Sequence, residues 1–426
     1  MSSKASPAAI LIHFSGMDRP GLTAALAHVL AAHDAAILDI GQAVVHESLS
    51  LGILIGVPSG ESYTELKSAL TADAERLGLR ASFTTIAHGA LDRWLHGVRE
   101  QQFIITVLGR KITASHLARV SRILAGRQMN VSRIERLSHE LSPTADSENA
   151  CVELAASGDI SREAAMRADF MAAAEELSID IAFQHESIYR RNRRLFAFDM
   201  DSTLIQGEVI DELAKMAGVG EEVSKITEGA MRGDYGFDES FTRRVGLLEG
   251  LPAEQVYSLL DKIPLTPGAE RLMRTLHLLG YKTAILSGGF NFFARNLQQR
   301  LGIDYVHSNE LEIIDGKVTG RVIPPIVNGE RKAFLLKEIV QKEGISLEQA
   351  VAVGDGANDI PMISLAGMGI AYRAKPRVRL QADHSIANLG LDGLLYLIGV
   401  RDRDLLEHES TPASRSQATV PRCAAL

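Results

Sequence analysis

Between Leu195 and Val353 the chain carries four short, largely apolar runs, at 195–198, 282–286, 304–306 and 350–353, each stopped by a Gly, Asp or Ser. Runs this short that stay apolar on successive residues suit strands covered on both faces, rather than the alternating pattern of a sheet with one wet face. Helix-period stretches separate them. The expectation over residues 194–400 is therefore an α/β domain, a doubly wound parallel sheet with helices on both faces. Ligands of such sheets bind at the carboxyl ends of the strands, where the polar residues that stop these runs fall. The interval from Glu208 to Asp261 is helical in character with little strand signal, and reads as a helical cap inserted over about 208–262. Beyond Val400 the sequence turns to Ser, Thr, Pro and Ala, so 402–426 reads as a last helical turn running into a flexible tail.

The N-terminal part follows another pattern. A strand at 9–15, a helix at 22–32, strands at 37–46 and 48–57, a helix at 64–77 and a strand at 80–86 give the order β-α-β-β-α-β. After a linker over 91–100 the order returns: strand 102–108, helix 114–126, strands 129–138 and 150–157, helix 161–177, strand 180–185. Two ferredoxin-like units are expected, at 8–88 and 100–186, as an internal duplication. The run Arg190-Arg191-Asn192-Arg193-Arg194 that follows reads as a solvated linker, because 53 acidic residues outnumber 45 basic ones across the chain.

Composition excludes several classes of function. A net charge of -8, one Trp and 5% aromatic residues leave neither a basic surface nor a stacking platform for nucleic acid. The apolar stretch 8–11 is short and interrupted by His13 and Asp18, unlike a signal segment, and no stretch approaches the ~20 apolar residues of a membrane span. Cys151 and Cys423 cannot make a disulfide framework, which points to a reducing cytoplasm.

The chemistry gathers at the strand ends. Asp199-Met200-Asp201-Ser202-Thr203 follows the first apolar run, and carboxylates at i and i+2 of an extended segment lie on the same side. Two such groups repel unless a divalent cation or a shared proton intervenes, and an all-oxygen set suits Mg²⁺ better than zinc. Alone, the segment is equally a strand end capping a helix. Gly354-Asp355-Gly356-Ala357-Asn358-Asp359 follows the last run, and its Asp355 is placed to complete a metal site with the first pair. Ser287-Gly288-Gly289 offers a hydroxyl and backbone amides to an anion, and Lys332 opens a helix from which its ammonium would reach a phosphoryl group, although alone the first is more often a turn and the second a solvated surface charge.

Taken in order, these four pieces resemble the motifs of the haloacid dehalogenase-like superfamily, and specifically the phosphoserine phosphatase family. Glu208, the segment Met231-Arg232-Gly233-Asp234-Tyr235-Gly236-Phe237 and Arg243-Arg244-Val245 match that family's cap. The resemblance implies a Mg²⁺-dependent phosphatase that releases L-serine and phosphate as the last step of serine biosynthesis. It implies Asp199 as nucleophile and Asp201 as general acid and base. Magnesium would be held by Asp199, the carbonyl of Asp201 and Asp355, with Asp359 in support. Ser287, Gly288 and Lys332 would hold the phosphoryl oxygens, and Asn358 would orient the substrate. Glu208 would meet its ammonium, Arg244 its carboxylate, and Phe237 would close the pocket. Residue chemistry alone leaves Arg243 and Arg244 equivalent; only the family register favours Arg244. A phosphatase for another phosphomonoester, or an amino-acid sensor with an inert large domain, are the alternatives; Glu208 with Arg244 argues against the first and the intact acidic set against the second.

The N-terminal pair resembles ACT domains, which bind amino acids. Asp18-Arg19-Pro20-Gly21-Leu22 matches their ligand loop, whereas the second copy has Gly109-Arg110-Lys111-Ile112 and lacks the Pro. The resemblance implies an amino-acid effector, L-serine being the simplest, held near Asp18 and Gly21 and, in the second copy, Gly109, which still allows close backbone approach, and a homodimer formed through these domains; dimerisation without a ligand is the alternative.

Overall fold

The computed structural model describes residues 9–57, 61–97, 101–139, 149–158 and 163–409. Alternation shapes its first unit, residues 1–100. In β1 (Ala9–Met17), Ile10, Ile12 and Phe14 point inward and pack with Leu22, Leu26 and Leu30 of α1 (Leu22–Ala32) and Leu66 and Leu70 of α2 (Glu61–Arg76). With β2 (Ile37–Val45), β3 (Ser48–Gly56) and β4 (Leu79–Ile86), it forms a four-stranded antiparallel sheet in the order β2-β3-β1-β4. Every residue of the edge strand β2 is exposed, Ile40 and Val45 included. The expected linker is instead largely helical: α3 (His88–Gly97) covers most of it, in a stretch where Ala90, Leu91 and Leu95 lie at helical spacing.

The second unit, residues 101–426, joins the second ferredoxin-like fold to the large domain. β5 (Gln102–Gly109), α4 (Ala114–Gly126), β6 (Asn130–Arg136), β7 (Ala150–Ser157), α5 (Glu163–Leu177) and β8 (Asp180–His185) form a sheet of order β6-β7-β5-β8. Phe103, Ile105 and Val107 pack under its own helices, while Leu108, Cys151 and Ala182 on the other face enter the core of the large domain. Carboxylates fasten the two. Asp180 accepts from the backbone N–H of Ala387 (2.9 Å) and Asn388 (3.0 Å) and from the Asn388 amide (3.1 Å). The arginine run corrects its reading as solvated linker: Arg190 is fully buried and ion-paired with the equally buried Glu153, and buried Arg193 donates to the Glu348 carbonyl.

The large domain is built on β9 (Leu195–Phe198), whose four residues are inaccessible to solvent. Over the cap lie α6 (Val209–Ala217), α7 (Gly220–Arg232), α8 (Phe237–Gly246) and α9 (Ala253–Tyr257), followed by α10 (Ala269–Leu278). Next come β10 (Lys282–Phe290), α11 (Asn291–Leu301), β11 (Tyr305–Ile314), β12 (Lys317–Ile323) and α12 (Gly329–Lys342). β13 (Ala350–Gly354), α13 (Ile360–Leu365), β14 (Met368–Tyr372), α14 (Pro376–Arg379), β15 (His384–Ile386), α15 (Leu394–Leu397) and α16 (Asp402–Glu409) complete the described chain. The seven strands run β12-β11-β10-β9-β13-β14-β15, all parallel except the edge strand β12, which pairs antiparallel with β11. Leu195 and Ala197 pack under α12 and α13 on one face, and Phe196 and Phe198 join α10 and α11 on the other, so both faces are covered. Of the expected tail, 402–409 is helical, with Asp402 held by Arg271 (2.9 Å) and the Tyr396 hydroxyl (2.9 Å); 410–426 lies outside the described residues. Among the described residues no helix is long and apolar enough to cross a membrane.

Candidate active site

The carboxyl ends of β9, β10 and β13 converge beneath the cap. Asp199 extends the β9 pairing by donating its N–H to the Val353 carbonyl (2.9 Å), and its Oδ1 accepts from the Met200 N–H (2.7 Å). The chain then turns at Ser202, whose φ of 56° lies in the sparsely populated left-handed region. The turn brings Asp201 back under α6, where its Oδ1 accepts from the Val209 N–H (2.9 Å).

Lys332 lies in the first turns of α12 and is completely buried, which rules out the surface charge that its sequence position also allowed. Its Nζ lies 2.9 Å from Asp199 Oδ1 and 2.7 Å from Asp359 Oδ1. Asp359 Oδ2 accepts from the N–H groups of Asp355 (3.1 Å) and Gly356 (2.9 Å), so both its oxygens are engaged. Thr203 donates to Asp355 Oδ1 at 3.2 Å.

β10 does not stop at Leu286 as the apolar run suggested; it continues to Phe290 through an irregularity in its pairing with β11. Along it, the Ser287 hydroxyl accepts from the Gly289 N–H (2.9 Å). A Cβ at Gly288 would stand 2.8 Å from the Phe237 ring, and one at Gly289 would stand 2.2 Å from Asp201 Oδ2.

The cavity these residues share measures about 530 Å³ and is lined by Asp199, Asp201, Glu208, Phe237, Arg244, Ser287, Gly288, Asp355 and Asn358. Lys332 and Asp359 stand behind that wall. Arg244 and Arg243 separate cleanly: Arg244 lines the cavity with its Nε buried and unpartnered, while Arg243 pairs with Glu239 (2.7 Å) and stacks over Tyr235 (4.4 Å). Gly289 also lines the cavity beside Ser287 and Gly288, as do Asp211, Ser240 and Lys375, which were not picked out from sequence. Gly289 and Thr203 sat inside motifs already recognised; Asp211, Ser240 and Lys375 carried no motif signal.

Crowded negative charge governs the electrostatics. Burial, then the charges of Glu208 and Asp199, push the Asp201 carboxyl well above the ordinary range. Burial and Asp199 likewise raise Glu208. Asp355 is pushed up to about 8 by burial and by Asp359 and Asp199, and Asp359 to about 7 by burial and Asp199. For Lys332 burial acts downward, but Asp199 and Asp359 outweigh it and hold the ammonium above its usual value. The site therefore lacks positive charge. Oxygens of Asp199, Asp355 and Asp359 lie within 4.8 Å of one another. Asp199 and Asp355 each keep one oxygen with no hydrogen-bond partner among the described residues, a donor set that fits a hard divalent cation.

The residues of the expected effector site lie elsewhere. Asp18 is exposed and donates its N–H to the Glu47 carbonyl (2.8 Å), and Gly21, at φ 92°, precedes α1. Gly109 is buried at the end of β5, where a Cβ would stand 3.1 Å from Ile179.

Comparison with known proteins matches the haloacid dehalogenase-like hydrolase family at residues 193–367 and ACT domains at 8–84 and 102–184. A phosphoserine phosphatase of Mycobacterium tuberculosis is 39% identical over 392 residues, 92% of this chain and 93% of that protein. One from Streptomyces coelicolor is 40% identical over 92% of each chain. Among solved structures, a probable phosphoserine phosphatase from Vibrio cholerae superposes with a TM-score of 0.56 at 31% identity, covering 74% of this chain and 90% of that one.

Proposed function

Since the chain belongs to the phosphoserine phosphatase family, as a haloacid dehalogenase-like hydrolase carrying two ACT domains, we propose that it hydrolyses O-phospho-L-serine through an aspartyl-phosphate on Asp199. One observation carries this reading: a carboxylate on a buried lysine, a second carboxylate held up in pKa, and one acidic and one basic cap residue share a single cavity. Glu208 and Arg244 supply the two signs that an amino-acid head needs, and the unpartnered Arg244 Nε suits a carboxylate.

In the proposed sequence an oxygen of Asp199 attacks phosphorus as the bond to the serine oxygen breaks. Asp201, kept protonated by its surroundings, gives its proton to that oxygen. Asp201, now a base, takes a proton from water, which attacks phosphorus, frees Asp199 and yields phosphate. Lys332, Ser287 and the Gly288 backbone offset the charge of the phosphoryl oxygens, Asn358 orients the substrate, and Asp359 positions Lys332. Asp199, Asp355 and the Asp201 carbonyl would hold Mg²⁺, which when bound neutralises charge on the transferring group.

L-serine as effector at Asp18, Gly21 and Gly109, and a homodimer formed through the ACT domains, are part of the proposal; the exposed apolar edge strand β2 supports the latter. A cytoplasmic location goes with it, since two cysteines in 426 residues suit a reducing compartment. Phosphate release from phosphoserine, phosphothreonine and a sugar phosphate, with and without Mg²⁺, tests the reading. It expects Mg²⁺-dependent release with phosphoserine strongly preferred; equal rates on all three would refute the substrate assignment.

A further inference from the structure

A second cavity, of about 270 Å³, lies where α5 and β8 of the second ACT domain meet residues 379–388 of the phosphatase domain. Its apolar wall includes Phe170, Met171, Ile179 and Leu380. Asp180 pins its two sides together through the three hydrogen bonds described above. Most of its charged groups are already committed. Arg167 pairs with Glu163 (2.7 Å) and donates to the Asp383 carbonyl (2.7 Å), and the Asp383 carboxylate accepts from the Gly369 N–H (2.9 Å).

Besides the exposed Glu175, which makes no ion pair among the described residues, three lining residues carry buried atoms that remain unmatched. Arg379 makes no ion pair among the described residues and its Nε is buried without a partner; the Ser385 hydroxyl and His384 Nδ1 are also unpartnered, and His384 is only 4% exposed. Unmatched polar atoms in a buried setting are costly, and their gathering around one cavity indicates a ligand that matches them. A guanidinium and a hydroxyl beside an apolar wall fit a small carboxylate with an apolar body.

The same segment reaches the catalytic cavity. Lys375 lines that cavity, donates its N–H to the Asp355 carbonyl (3.4 Å), and accepts at its own carbonyl from Val378 (2.9 Å) and Arg379 (3.1 Å). The single turn of α14 thus has one end at each cavity. We propose that the second cavity binds a small apolar carboxylate and that its occupancy is transmitted to the catalytic cavity through residues 375–379. A ligand that moves Arg379 alters the position of Lys375, and the coupling is reciprocal.

Calorimetric titration of the full chain with 3-phenylpropanoate tests this, with 3-phenylpropanamide as the neutral control. Saturable binding of the carboxylate is expected, weaker by about tenfold or more for the amide and for Arg379→Gln, as loss of a charged hydrogen bond requires. Ala174→Phe, which fills the cavity from α5, should abolish binding; circular dichroism checks that both variants fold, and both should keep basal turnover. In the wild type the probe should shift KM for phosphoserine, and in Arg379→Gln it should not. No saturable binding, or binding unchanged in both folded variants, would overturn the site; binding without a KM shift would overturn the transmission. The titration needs no turnover, so its failure is distinct from failure of the phosphatase reading.

Discussion

Lys332 carries more of the site than its place in the sequence suggests. A lysine near a helix start is ordinarily solvated, yet this one is buried between Asp199 and Asp359 because α12 packs its apolar face directly against the sheet. The acidic motif residues were legible for a simple reason: strand ends of a parallel sheet must converge, so carboxylates placed there share a site. Asp211 and Ser240 were not, because they sit on cap helices whose distance from the sheet ends is set by tertiary packing. Gly289 defines a first prediction. Gly289→Ala puts a methyl group 2.2 Å from Asp201 Oδ2 and 2.6 Å from Met200, so kcat should fall by about a hundredfold, on the scale of losing a general acid, and the overpacking should lower the thermal midpoint as well. Retained kcat would separate Asp201 from the chemistry. The cap arginines define a second. Arg244→Ala should raise KM for phosphoserine by about tenfold or more, as expected for a lost charged contact, and leave an aryl phosphate nearly unaffected, whereas Arg243→Ala should leave both substrates nearly unaffected. Equal effects of the two variants would remove the cavity-facing role of Arg244.

At the scale of elements, the first ACT domain was readable because its sheet has one covered face, so β1 and β3 alternate, whereas β5 and β7 of the second are buried on both faces and were legible only from the repeated element order. The arginine run was misread because its partner, Glu153, lies on β7, far away in sequence, and a charge count cannot see a buried ion pair. β12, β14 and β15 also escaped notice: β12 is polar on alternate positions at an edge, and β15 has three residues. The docking of the second ACT domain rests on interactions of this long-range kind. Asp180→Ala strands two backbone N–H groups at 387 and 388, and should lower stability by roughly 2 kcal/mol or more. Urea denaturation of the full chain would measure it, and an unchanged midpoint would show that the three hydrogen bonds do not hold this interface.

For the whole molecule, the balance of charge links metal, pH and stability. Asp355 and Asp359, raised to about 8 and about 7, bind protons more tightly folded than unfolded. Metal-free stability should therefore fall as pH rises from about 4 through about 8, where the folded site must give up those protons. A divalent cation opposes that loss. Mg²⁺ should raise the thermal midpoint more at pH 8 than at pH 6, and its binding should release protons, seen as a buffer-dependent calorimetric enthalpy. A midpoint shift independent of pH would contradict this. The central claim, that Asp199 carries the phosphoryl group, is tested most directly by mixing the protein with phosphoserine and Mg²⁺, quenching in acid during turnover, and locating the phosphoryl group by peptide mass spectrometry. The account predicts one phosphoryl group on the peptide containing Asp199, absent in Asp199→Asn; a wild-type enzyme that turns over with no phosphoryl group on that peptide, or with one on another residue, would contradict it.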